Sequence, residues 1–163
     1  MNNIRFYSTK LTHVDETGKA RMVNVIDKYV TKRSATAQCI VDVGKEIHHL
    51  IKVNEMKKGD VLSIAQIAGI LGAKQTSNLI PLCHNIPISS VKVTVELLED
   101  DKVIIYATVK CLGQTGVEME ALTACAVAAL TIYDMSKAIS HDIVIKEIKL
   151  MEKSGGERFF KRE

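Results

Sequence analysis

A chain of 163 residues, 47% hydrophobic and 25% charged, has the composition of one globular domain large enough to bury a core. Its net charge of +3 admits an anionic ligand without announcing nucleic acid, and 4% aromatics with no Trp leave little for stacking bases. The four cysteines, Cys39, Cys83, Cys111 and Cys125, form no CxxC pair, which argues against a zinc ribbon or iron–sulfur centre, and no apolar run is long enough to cross a bilayer.

The first ten residues carry Arg5 and Lys10, with no acid before Asp15. They read either as the remnant of a mitochondrial transit peptide or as the disordered start of a cytoplasmic protein, ahead of a single domain over residues 11–163. Leu11 to Asp27 is polar and predicts an extended arm, with a short strand near Met22–Val25. Thr31 to Val43 has the alternating, β-branched character of a strand. Gly44 to Val53 predicts a short helix carrying His48 and His49, which do not share a face and so suggest no metal site. Asp60 caps an amphipathic helix from Val61 to about Ser77, with Ile64, Ala68 and Leu71 on one stripe. The apolar LIPLCHN segment, Leu79 to Asn85, is broken by Pro81 and delivers His84. Val91, Val93, Val95 and Leu97 alternate with Lys92, Thr94 and Glu96 as a strand with one wet face. A turn at Glu99–Lys102 then returns the chain through Val103–Cys111 as its hairpin partner.

Thr115 to Ser140 is the centre of the pattern. Thr115 is a candidate cap, Glu118 and Glu120 suit the first turn of a helix, and the residues from Ala121 to Ile132 are apolar or small nearly all round. At 100° per residue, Glu120, Asp134 and Lys137 share one side, with Glu118 opposite, and a straight helix sets Glu120 roughly 21 Å from Asp134. One small-molecule site cannot use both ends of one copy. Either the ends serve different purposes or a second subunit brings its helix end to meet the first, and the small residues along the helix favour the second. Asp142 to Met151 predicts a last strand, followed by the loop Lys153-Ser154-Gly155-Gly156. Counted from Thr31, the order is strand, helix, strand, strand, helix, strand. This is the βαββαβ pattern of a ferredoxin-like α+β sandwich, in which two helices cover one face of an antiparallel sheet.

Taken singly, the charged candidates all have ordinary explanations. Lys58 beside Lys57 suits a solvated surface, Lys74 a helix C-terminus, His84 a structural hydrogen bond, and Asp134 with Lys137 an i,i+3 surface pair. Together, LIPLCHN, TGVEMEALTACAVAALTIYDMSKA and KSGG closely resemble the MoaC family of cyclic pyranopterin monophosphate synthases, from Leu11 through Gly156. Agreement is weakest from Tyr29 to Asn54.

The resemblance implies an enzyme of molybdenum cofactor biosynthesis. Its substrate is (8S)-3',8-cyclo-7,8-dihydroguanosine 5'-triphosphate, made by an upstream GTP 3',8-cyclase. Its products are cyclic pyranopterin monophosphate and diphosphate. It implies a homohexamer, a trimer of dimers with the site at a subunit interface, and no cofactor beyond a divalent ion that can travel with the triphosphate. Matching motifs put the catalytic roles on Asp134, Lys137 and Lys58. Substrate contacts fall to Leu82, Cys83, His84, Met119, Glu120 and the adjacent Glu118.

The chemistry is consistent with these residue types. Rebuilding a purine-derived ring needs proton transfers, for which a carboxylate beside a lysine of depressed pKa is suited. Expelling diphosphate needs cationic clamps, for which Lys58, Lys74, His84 and Lys153 are candidates. A carboxylate such as Glu120 accepts from a guanine-like N–H edge. The rival reading is a ferredoxin-like nucleotide-binding regulatory module that binds without turnover.

Overall fold

The computed structural model describes residue 14 and residues 17–163, so the basic opening decapeptide and Leu11–His13 lie outside the described residues. Five antiparallel strands form one sheet in the order β2-β3-β1-β4-β5. They are β1 (Thr31–Asp42), β2 (Ile88–Leu97), β3 (Lys102–Gly113), β4 (Val144–Ser154) and the two-residue β5 (Phe160–Lys161). The first four strands follow the expected ferredoxin-like α+β order, and β5 is an addition at the edge. Helices α1 (Gly44–Lys52), α2 (Val61–Lys74), α3 (Thr76–Leu79) and α4 (Glu118–Ser136) complete the described elements. Only α2 and α4 lie across the sheet; they pack against each other and on one face of it.

The alternation read from sequence sets that face. Ala35, Ala37, Cys39 and Val41 of β1 and Val103, Ile105, Ala107 and Val109 of β3 are fully buried beneath the helices. The alternate residues on the other face pair through polar groups. Gln38 Nε2 donates to the Tyr106 hydroxyl at 2.7 Å, and the hydroxyls of Thr36 and Thr108 lie 2.9 Å apart.

The stripe on α2 turns out opposite to its hydrophobicity. Ile64 and Leu71 are exposed, while Val61, Ala65, Gly69, Gly72 and Ala73 are buried. The reason is close approach. A Cβ on Gly69 would sit 3.0 Å from the Ala124 carbonyl, and one on Gly72 would sit 2.8 Å from Val127. The small face of α2 therefore nests into the small face of α4, and the large aliphatics turn outward.

Two further expectations are corrected. Residues 22–25 form no strand, because their backbone is held by side chains rather than by a neighbouring strand: His84 Nε2 bonds the Val23 carbonyl at 2.7 Å. Helix α4 begins at Glu118 rather than Thr115, and Val117, fully buried, occupies its N-cap without a side-chain cap bond. Asp60, by contrast, caps α2 as expected, accepting from the Ser63 amide at 3.0 Å.

Candidate active site

The C-terminal end of α4 carries Asp134, and Lys137 occupies the C-cap one turn on. Lys58 arrives from a different segment, a tight turn whose Gly59 has φ +90° and whose Met56 is buried as an anchor. Its ammonium donates to the Asp134 carboxylate at 3.0 Å and to the Asp134 backbone carbonyl at 2.9 Å. The Lys137 ammonium meets the other carboxylate oxygen at 2.8 Å. One carboxylate thus bridges two ammonium groups, all about half exposed.

None of the three charges at this end is buried, as an i,i+3 surface pair of Asp134 and Lys137 requires. The expected depressed lysine is reversed: the hydrogen bond and charge of Asp134 hold the Lys137 pKa above its ordinary value, and Lys137 and then Lys58 hold the Asp134 carboxyl below the usual range. Exposed ion pairs contribute little to stability. The fold therefore gains little from drawing two cations onto one surface carboxylate.

A second group gathers at the other end of α4. The turn after α3, closed by the Cys83 amide on the Ile80 carbonyl at 3.0 Å, sets Leu82, Cys83 and His84 beside Met119 and Glu120 in a cavity of about 390 Å³. Because a carbonyl only accepts, the His84 Nε2 facing Val23 must carry the hydrogen, leaving Nδ1 as the remaining ring heteroatom. Glu120 is 4% exposed. Burial raises its pKa, its own backbone amide opposes the shift, and the nearby Glu118 charge adds a smaller push upward. Burial and then the Glu120 charge likewise push up the Cys83 thiol, so no thiolate is prepared there.

Glu118 accepts from Lys153 at 2.7 Å on the wall of an adjoining cavity of about 590 Å³. The two cavities share Lys28, Thr115, Gly116 and Glu118. A Cβ on Gly116 would overlap the Glu118 carboxylate, so glycine there lets that side chain fold back over the turn.

The larger cavity exposes what sequence reasoning missed. Lys28, Arg33 and Arg158 join Lys153 on its wall. Gly155 and Gly156, with φ of +85° and +73°, wrap the Arg33 side chain so closely that a Cβ on Gly156 would overlap the guanidinium. The paired glycines after Lys153 were the one available signal, since they mark a close approach without naming the residue approached. Lys74 joins neither group: it lines a third cavity with Ser89 and Ser90 at the start of β2. Among the described residues, no set of three His, Cys, Asp or Glu is placed to hold a metal, and no helix is long and apolar enough to cross a membrane.

Apart from Lys74, the predicted residues thus form two groups at opposite ends of α4. Fourteen residues at about 1.5 Å each keep Glu120 and Asp134 roughly 21 Å apart along the helix.

Comparison with known proteins places these residues in context. The model of the MoaC family matches residues 22–156. "Molybdenum cofactor biosynthesis protein 1" of Drosophila melanogaster is 59% identical over 160 residues, 98% of this chain but 28% of that protein. "Cyclic pyranopterin monophosphate synthase, mitochondrial" of Arabidopsis thaliana is 54% identical over 149 residues, 91% of this chain and 55% of that protein. "Cyclic pyranopterin monophosphate synthase" of Thermoanaerobacter sp. (strain X514) is 55% identical over 147 residues, 90% of this chain and 93% of that one. The chain therefore spans about a quarter and about half of the two eukaryotic relatives, and nearly all of the bacterial one.

Proposed function

The chain belongs to the MoaC family, and on that footing we propose that it is a lyase converting (8S)-3',8-cyclo-7,8-dihydroguanosine 5'-triphosphate to cyclic pyranopterin monophosphate and diphosphate. The observation that carries this reading is the Lys58–Asp134–Lys137 cluster, an acid–base set assembled from two distant segments.

In this reading Asp134 is ionised and accepts protons, while the lysine ammonium groups donate them to the ring nitrogens and oxygens released as the purine-derived skeleton reorganises. The cationic cavity of Lys28, Arg33, Lys153 and Arg158 holds the triphosphate. A substrate hydroxyl attacks the α-phosphorus, the bridging P–O bond to the β-phosphate breaks, and diphosphate leaves with the electron pair. Cations along the chain stabilise the charge that develops. Glu120, shielded from water, accepts from the guanine-like N–H edge, with Leu82, Cys83, His84 and Met119 forming the wall around the base. No resident cofactor is assigned, and any divalent ion arrives on the triphosphate.

Two half-sites on one helix support a site completed by a second copy, as one contact within a trimer of dimers. The exposed Ile64, Ile67 and Leu71 of α2 supply an apolar face suited to such packing. The mitochondrial matrix or the cytoplasm is the compartment this reading assigns. The direct test is purified protein with the cyclised GTP substrate, scored for pyranopterin and for diphosphate. Equal yields of both support the synthase, and binding without either product supports a regulatory module instead.

A further inference from the structure

The cationic cavity depends on a segment that lacks a fold of its own. Residues 21–25 belong to no strand or helix, yet Val23, Val25 and Lys28 line the smaller cavity and Lys28 also lines the larger one. Lys28's own side-chain partner is Glu157 at 3.8 Å, both well exposed, which is too weak to fix it. Gln114 does more. Its side-chain nitrogen donates to the Ile26 carbonyl at 3.0 Å and to the Lys28 carbonyl at 3.1 Å. A primary amide has two hydrogens, one for each acceptor. The same residue's backbone carbonyl accepts from Arg33 Nη2 at 3.2 Å. One residue in the loop leading into α4 therefore ties the backbone that carries Lys28 and the guanidinium of Arg33, two of the cations lining the larger cavity.

We propose that Gln114 is a positioning residue: its carboxamide locks the turn at residues 26–28 so that Lys28 is already placed for the anionic part of the substrate. The inference rests on the functional reading above for the substrate's identity, but not for the tie itself. Loosening the turn adds an ordering requirement that is met on binding, and once the substrate is bound Lys28 makes the same contacts, so the effect falls on KM rather than kcat.

The test is Gln114→Met, which keeps length and neutrality but deletes both donors. Hydrogen exchange on the substrate-free protein should show the amides of residues 22–28 exchanging about tenfold faster, as expected for lost hydrogen bonds. KM should rise about tenfold with kcat within about twofold. In a Lys28→Met background the same substitution should change KM by less than about twofold, because Gln114 acts through Lys28. Unchanged exchange, or an equal KM increment in both backgrounds, overturns the proposal. If the unsubstituted protein makes no product, the functional reading fails separately, and the dissociation constant for inorganic tripolyphosphate takes the place of KM in the same cycle.

Discussion

The Lys58 ammonium bonds both the carboxylate and the backbone carbonyl of Asp134, a residue 76 positions away. This contact joins the turn before α2 to the end of α4, and it places the cluster's second cation opposite Lys137. Neither lysine is buried, so the cluster adds little to the fold, and its removal should be felt in turnover.

Lys58→Ala and Lys137→Ala should each lower product formation by at least about a hundredfold, the usual scale of a lost acid–base group. The melting temperature should move by no more than about 2 °C, because half-exposed ion pairs contribute little. Steady-state kinetics and thermal melts on the same preparations check both halves.

The titration of the cluster has a definite sign. Asp134 has a lowered pKa, so its stabilising interaction is present above the ordinary carboxylate value of 3.8 and is lost as pH falls through the lower folded value. Lys137 has a raised pKa, so its share is present below 10.5 and is lost as pH rises through the higher folded value. NMR titration of the Lys137 ammonium should show it moving back toward 10.5 in Asp134→Asn. A Lys137 pKa indifferent to Asp134 would mean that the pair does not persist in solution.

Glu120 behaves in the opposite way. Its folded pKa lies above the ordinary 4.5, so folding favours the protonated form and stability falls as pH rises from 4.5 through the folded value. Glu120→Gln removes that slope. The melting temperature of the variant, relative to the parent, should be higher at about pH 7 than at about pH 4. Turnover at about pH 7 should fall, since the amide no longer offers a carboxylate to the base edge.

How far the chain could be read from its residues depends on what orders each part. The β2–β3 hairpin and α4 were legible because their order is local, residing in the alternation of Val91, Val93 and Val95 and in the run of small residues after Glu120. The stripe of α2 was misread because its burial follows closeness of approach at Gly69 and Gly72, not hydrophobicity. The short strand expected within the arm does not form, because the arm's partners are distant side chains, His84 at 61 residues and Gln114 at 88. In the site, helical spacing pairs Asp134 with Lys137, but their catalytic role, like that of Lys58, comes from motif likeness alone. Lys28 and Arg33 carry no local signature, and Lys74 had only its charge to recommend it.

The α2–α4 contact gives a prediction independent of function. Gly72→Ala gains about 0.5–1 kcal/mol of helix propensity. It also forces a methyl to within 2.8 Å of Val127. Overpacking of this kind costs about 1–3 kcal/mol, so the net change should be destabilising. Urea unfolding with an unchanged slope and a lower midpoint would confirm it.

The central claim is that the ammonium–carboxylate end of α4 in one copy works with the Glu120 end of another. Lys137→Ala and Glu120→Gln should each be nearly inactive alone. Unfolded, mixed in equal amounts and refolded together, they should recover about a quarter of the parent activity, because half the pairs are mixed and each mixed pair carries one intact site. Activity that stays at the level of the separate variants would contradict a site shared between copies.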